Sequence, residues 1–75
     1  MKKPRTLADL QIGEKATIAE LHNDEVSLRL MEMGCVPGCE VELKCKALLG
    51  GPVCVNVSGY HLSLRLVEAA KILLV

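Results

Sequence analysis

Seventy-five residues, 51% of them hydrophobic, suffice for one domain with a core a single layer deep, which leaves little room for an enclosed active site. Nine basic and nine acidic side chains cancel, removing the positive field with which nucleic-acid binders attract phosphates. Aromatic residues make up 1% of the chain, with no Trp or Phe, so aliphatic side chains must fill the core.

The chain opens on a short basic arm, Met1-Lys2-Lys3-Pro4-Arg5, and residues 1–6 are expected to be flexible and solvated. Leu7 to Gly13 carry Asp9 and Gln11 where a secretion signal needs an unbroken apolar stretch. Nothing later approaches the roughly 18 apolar residues of a membrane span. The sequence therefore reads as cytoplasmic, touching a membrane only through a partner. Lys15 to Leu21 is predicted as a strand whose alternation slips between Ile18 and Leu21, as a bulge requires.

One helix is predicted over about 24–33, capped by Asn23 or Asp24 and stopped by Gly34 in the left-handed conformation. Val26, Leu30 and Met33 share the face expected to meet the core. Leu28 and Met31 fall on the opposite side among Glu25 and Glu32, where polar residues belong. Beyond Gly34, Pro37 and Gly38 form a tight turn that sets the register of the next strand.

Cys39 to Ala47 alternates apolar odd positions with charged even ones, the period of a strand with one wet face. Leu48-Leu49-Gly50-Gly51-Pro52 interrupts it and Val53 to Val57 resumes the alternation, which predicts a hairpin. His61 to Leu64 is a further strand, Arg65 to Ala70 a short helical turn, and Lys71 to Val75 a last strand. Five strands with one helix and Gly or Pro turns predict a mostly β fold, a small barrel in which closure hides the sheet edges. No linker, repeat or low-complexity tract divides the chain, so residues 1–75 read as a single domain.

The four cysteines, Cys35, Cys39, Cys45 and Cys54, lack the paired C-x2-C spacing of structural zinc sites, and without a secretion signal they are expected to stay reduced. Cys39 and Cys45 are in phase with Val41 and Leu43, so they read as small buried hydrophobes. His22 and His61 stand alone in the sequence, and no nucleophile and base share a motif. No catalytic residue, resident metal or cofactor is expected. Arg65 and Glu68, three apart, are read as a structural pair across the helical turn.

The segment Arg29-Leu30-Met31-Glu32-Met33-Gly34-Cys35-Val36-Pro37-Gly38 resembles the corresponding segment of the ferrous iron transport protein A (FeoA) family. Leu7-Ala8-Asp9-Leu10 with Gly13, Ala16 and Ile18, then Leu49-Gly50 with Pro52, then Leu64-Arg65 with Glu68-Ala69, resemble other parts of that family in the same order. The resemblance implies an SH3-like β-barrel, also found as the C-terminal domain of metal-dependent repressors. It further implies an accessory role in bacterial ferrous iron uptake, exerted on the membrane GTPase transporter FeoB. Leu48 and Gly51 depart from the family's Pro and Asp in the central loop, and Leu28 from its usual polar residue.

Leu28, Met31, Leu48 and Leu49 are explained neither by the helix core face nor by the alternating hairpin, and apolar clusters left exposed mark binding sites. With Gly50 they form the expected partner-binding surface, unless Leu7 to Ile12 fold over them. Gly34, Pro37 and Gly38 are expected to be structural. A second reading has the domain bind a transition metal directly through Cys35, Cys39, His22 or His61. A third, recognition of Pro-rich peptides, needs an aromatic groove that Tyr60 alone cannot form. Self-association through the Leu-rich ends stays open.

Overall fold

The structure, a computed structural model, describes residues 5–47 and 49–75. Its strands are β1 (Lys15–Leu21), β2 (Glu40–Lys46), β3 (Val53–Val57), β4 (Tyr60–Leu64) and β5 (Ile72–Leu74), and its helices are α1 (Glu25–Glu32) and α2 (Leu66–Ala69). All neighbouring strands pair antiparallel, in the order β4-β3-β2-β1-β5. The mostly β class, the five strands, the single helix and the later helical turn agree with the sequence reading.

β1 serves two partners. Lys15, Ala16 and Thr17 pair with β2, while Ile18, Glu20 and Leu21 pair with β5 across a slip between Ile18 and Glu20. The expected bulge is thus where the strand turns from one neighbour to the other. A second bulge lies in β2, where the register shifts between Leu43 and Cys45. Val41 and Leu43 are fully buried as the alternation requires, but the extra residue reverses the phase and leaves Cys45 exposed. The placement of Cys45 in the core is therefore corrected, while Cys39 remains half-buried.

Asp24 caps α1, its Oδ1 accepting from the Ser27 backbone N–H at 2.8 Å. Leu30 is buried as predicted, but Met33, the C-cap residue at the end of α1, is 40% exposed. Ser27 takes the inward place instead, 1% exposed, its hydroxyl without a hydrogen-bond partner. Gly34, at φ 108, ends the helix, and the Cys35 N–H donates back to the Leu30 carbonyl. Pro37 and Gly38 (φ 93) then occupy the two central positions of a turn closed by Cys39 N–H to Val36 O, the arrangement of a type II turn. The Gly38 N–H donates to Ile18 O at 2.8 Å, docking the turn on β1.

The sequence reading contained no counterpart to a 3₁₀ turn over Leu7–Asp9. Leu7 and Leu10 are fully buried in the same cluster as Ile18, Val55 and Ile72. This turn packs against α2 and β5, and Lys46 Nζ donates to the carbonyls of Ala8 and Leu10 at 3.0 and 3.1 Å. Between the edge strands β4 and β5, which share no ladder among the described residues, the core is thus covered by helical turns and not by backbone pairing. Arg5 and Thr6, assigned to a flexible end by the sequence, are tied down: Leu74 N–H donates to Arg5 O at 2.8 Å, Thr6 bridges Leu73, and the Arg5 guanidinium meets Glu14 at 2.6 Å. The remainder of that expectation, residues 1–4, lies outside the described residues.

Candidate functional site

β2 and β3 separate at Lys46 and Val53, and the connection between them carries Leu49 and Gly50 at φ 59 and 76. Two successive residues at positive φ normally are Asn-Gly or Gly-Gly, and the left-handed conformation costs a side-chain-bearing residue roughly 1–2 kcal/mol. Leu49 is nevertheless fully exposed. It gains no burial within this chain to offset that cost. Leu48, the other leucine assigned to this surface, lies outside the described residues.

Beside the turn, Gly50, Gly51 and Pro52 face Arg65, Leu66 and Val67 across an open groove of about 470 Å³. The groove exists because β4 ends at Leu64 opposite Val53 and the chain passes directly into α2. Glu68 fixes that entry, its Oε1 accepting from the Arg65 backbone N–H at 2.7 Å. The structural reading of this pair holds through the backbone and not through the guanidinium. Val67 is 67% exposed on the groove wall, whereas Leu66 is half-buried against the core. The sequence reading missed Val67. Its signal was two adjacent aliphatic residues in a one-turn helix, which cannot both face the core.

A second recess of about 460 Å³ is lined by Glu32, Met33, Gly34, Val36, Cys39, Val57, Ser58 and Tyr60. It lies at the opposite end of the sheet, where Val41, Val57 and Tyr60 pair in line, while the groove adjoins the row Lys46, Val53 and Leu64. Leu28 and Met31 belong to α1, whose C-terminal end borders this second recess, and they are 57% and 37% exposed. The structure therefore divides the residues that the sequence grouped: Leu49 and Gly50 border the groove, and Leu28 and Met31 lie on the outer face of α1. Leu7 to Ile12 do not cover that face, since Leu7 and Leu10 point into the core and Ile12 is itself exposed.

Among the described residues, no three or more His, Cys, Asp or Glu side chains are gathered as a metal ion would need. Cys35 and Cys39 are close enough to interact, but burial, reinforced by Cys39, pushes the Cys35 thiol up and holds it in the protonated form that ligates metal poorly. His22 and His61 are exposed. No helix of the described chain is long and apolar enough to cross a membrane.

An antiparallel five-stranded fold with an inserted helix and an apolar groove between a hairpin tip and a helical turn defines a small domain of the SH3-like type. Residues 5–75 match the FeoA domain family, and the chain belongs to that family. It is similar to a FeoA-like protein from Clostridium acetobutylicum, at 34% identity and a TM-score of 0.87 over 100% of this chain and 88% of that one. It is also similar to Stenotrophomonas maltophilia FeoA, solved with zinc and described as a prokaryotic SH3 domain protein and candidate bacterial ferrous iron transport activating factor. That likeness has 30% identity and a TM-score of 0.85, covering 95% of this chain and 89% of the other. A manganese-dependent transcriptional repressor complexed with manganese shares the fold at 18% identity, with a TM-score of 0.88 over 100% of this chain and 37% of the repressor. No curated protein matches the sequence.

Proposed function

We propose that this FeoA-family domain is a non-catalytic accessory module of bacterial ferrous iron uptake that binds a protein partner, the cytoplasmic part of the FeoB transporter, through the groove between the 49–52 turn and α2. The observation that carries this reading is Leu49: a fully exposed leucine held at φ 59 beside a groove walled by Val67. A hairpin turn selected for stability alone would place Gly or Asn there. An apolar side chain at a protruding tip gains free energy only when another surface covers it. Family membership and the transport role ascribed to the Stenotrophomonas relative supply the process.

The outer face of α1, with Leu28 and Met31, is a separate apolar surface, so the test needs two arms. Binding of the cytoplasmic FeoB fragment is measured by titration calorimetry for wild type, Leu49→Glu, Val67→Glu and Leu28→Glu, with each fold checked by heteronuclear NMR. The groove reading expects the first two variants to lose at least about tenfold in affinity, corresponding to 1.4 kcal/mol, and Leu28→Glu to bind normally. Loss confined to Leu28→Glu would move the site to α1. A wild-type chain that fails to bind the fragment would remove FeoB as the partner.

A further inference from the structure

The bulge in β2 creates a site absent from the sequence reading. Beyond the register shift, Cys45 stands directly opposite Cys54 of β3. Residues opposed across an antiparallel pair project from the same face, with Cβ atoms roughly 4.5–5.5 Å apart. The face is the outer one, because Val53, Val55 and Val57 take the inward positions of β3 and Cys54 lies between them. Cys45 is exposed, Cys54 is half-buried, and both are free thiols. The neighbouring Cys45 side chain is the main cause that raises the pKa of the Cys54 thiol.

A disulfide needs Cα atoms about 4.4–6.8 Å apart and Cβ atoms about 3.5–4.5 Å apart. Directly opposed antiparallel residues, with Cα separations of about 4.5–5.5 Å, meet the first requirement and reach the second by a small closing of the pair. Two thiols with no third donor gathered beside them among the described residues do not make a zinc site. The other neighbouring pair, Cys35 and Cys39, has one member fully buried and out of reach of a dissolved oxidant.

We propose that Cys45 and Cys54 form a dithiol modification site that closes reversibly to a cross-strand disulfide by exchange with a low-molecular-weight disulfide such as oxidised glutathione. The thiolate of exposed Cys45 attacks one sulfur of the glutathione disulfide and expels one glutathione thiolate, leaving a mixed disulfide on Cys45. The thiolate of Cys54 then attacks Sγ of Cys45 and expels the second. Two protein thiols are oxidised, one glutathione disulfide is reduced to two glutathione thiols, and the two thiol protons leave with them. The bond closes the chain from Cys45 to Cys54 into a ring around the turn that carries Leu49.

The full chain is incubated with oxidised glutathione, quenched with acid, and analysed by intact mass and peptide mapping. The expected result is a loss of two hydrogens, a Cys45–Cys54 cross-linked peptide, and return to the starting mass with dithiothreitol. In Cys54→Ser the second step is blocked, and a glutathione adduct accumulates on Cys45. A wild-type chain that retains unresolved adducts on Cys45, or that cross-links Cys35 to Cys39 first, overturns the proposal. This readout does not involve FeoB, so its outcome is independent of the partner assignment.

Discussion

At the end of the sheet where β2 begins, left-handed backbone is assigned to Gly34, Gly38, Gly59 and the small polar Ser58; at the other end it is assigned to Leu49 followed by Gly50. Three of the first four are glycines, and Ser58 (φ 51) carries the same steric cost as Leu49 in the two-residue turn between β3 and β4, so this set serves the fold, with Gly38 holding the turn against β1. Leu49 bears that cost and touches nothing that would compensate. The difference teaches that the end of the sheet with the second recess is built for register. At the groove end, a strained backbone position holds an exposed apolar side chain, which under the proposed function is a recognition turn.

The largest effect that bears on this comparison lies beneath the groove end. Leu10→Ala empties a fully buried position in the segment covering the seam beside α2, at a cost of about 2–5 kcal/mol. That approaches the roughly 3–5 kcal/mol available to a core of this size, so urea denaturation should find the variant largely unfolded. Leu28→Ala, on the outer face of α1, should stay within about 0.5 kcal/mol of wild type. Equal losses in the two variants would mean that the buried 3₁₀ segment is not part of the core.

The next effects set the two ends against each other directly. Gly38→Ala meets no neighbouring atom but must hold φ 93, so it should destabilise by about 1–2 kcal/mol. Leu49→Gly relieves the equivalent conflict at φ 59. The added freedom of glycine in the unfolded chain offsets part of that relief, and the variant should match wild type or exceed it by up to about 1 kcal/mol. Its partner affinity should fall at the same time. Chemical denaturation and calorimetry on the same samples check both signs, and a Leu49→Gly variant that loses stability while keeping its affinity would make Leu49 a packing residue.

Most of the fold was legible because its signals are periodic. The odd-even run predicted over Cys39 to Ala47 holds as far as Leu43, the alternation resumes at Val53, and Asp24, one of the two expected caps, is the one used. The 3₁₀ segment was not legible, because Leu7-Ala8-Asp9-Leu10 is too short for any period and its burial depends on α2 and β5, which are distant in sequence. The phase of Cys45 was lost for a similar reason: a bulge inside a perfect alternation leaves no trace in the pattern it interrupts. For the candidate site, the sequence could identify Leu28, Met31 and Leu49 as apolar residues lacking a core position, but only the strand register shows that α1 and the hairpin turn adjoin different recesses. Val67 was hidden by Leu66 beside it, which accounts for an apolar helical turn on its own.

The smallest effect at neutral pH belongs to the link between the start of α1 and the short segment between α2 and β5. Lys71 Nζ reaches Asp24 Oδ2 at 2.6 Å while Oδ1 caps the helix, and the lysine first, then the Ser27 N–H, lowers the Asp24 pKa to about 2 from an ordinary value of 3.8. A carboxyl whose folded pKa is depressed adds stability that is fully present above its unfolded pKa and is lost as pH falls through the folded one. The contribution of Asp24 should therefore be constant above about pH 4 and disappear between there and about pH 2. Asp9 and Glu14 are lowered as well, by the Thr6 and Gln11 backbone N–H groups first, so wild type alone cannot isolate it. Asp24→Asn keeps an amide oxygen for the cap and removes the charge, and the difference in urea midpoint between the two proteins should close across that window. It should also shrink with added salt, because both partners of the pair are partly exposed. A difference that persisted unchanged at the acid end would show that Asp24 acts through the cap alone, leaving α1 and α2 without an electrostatic tie.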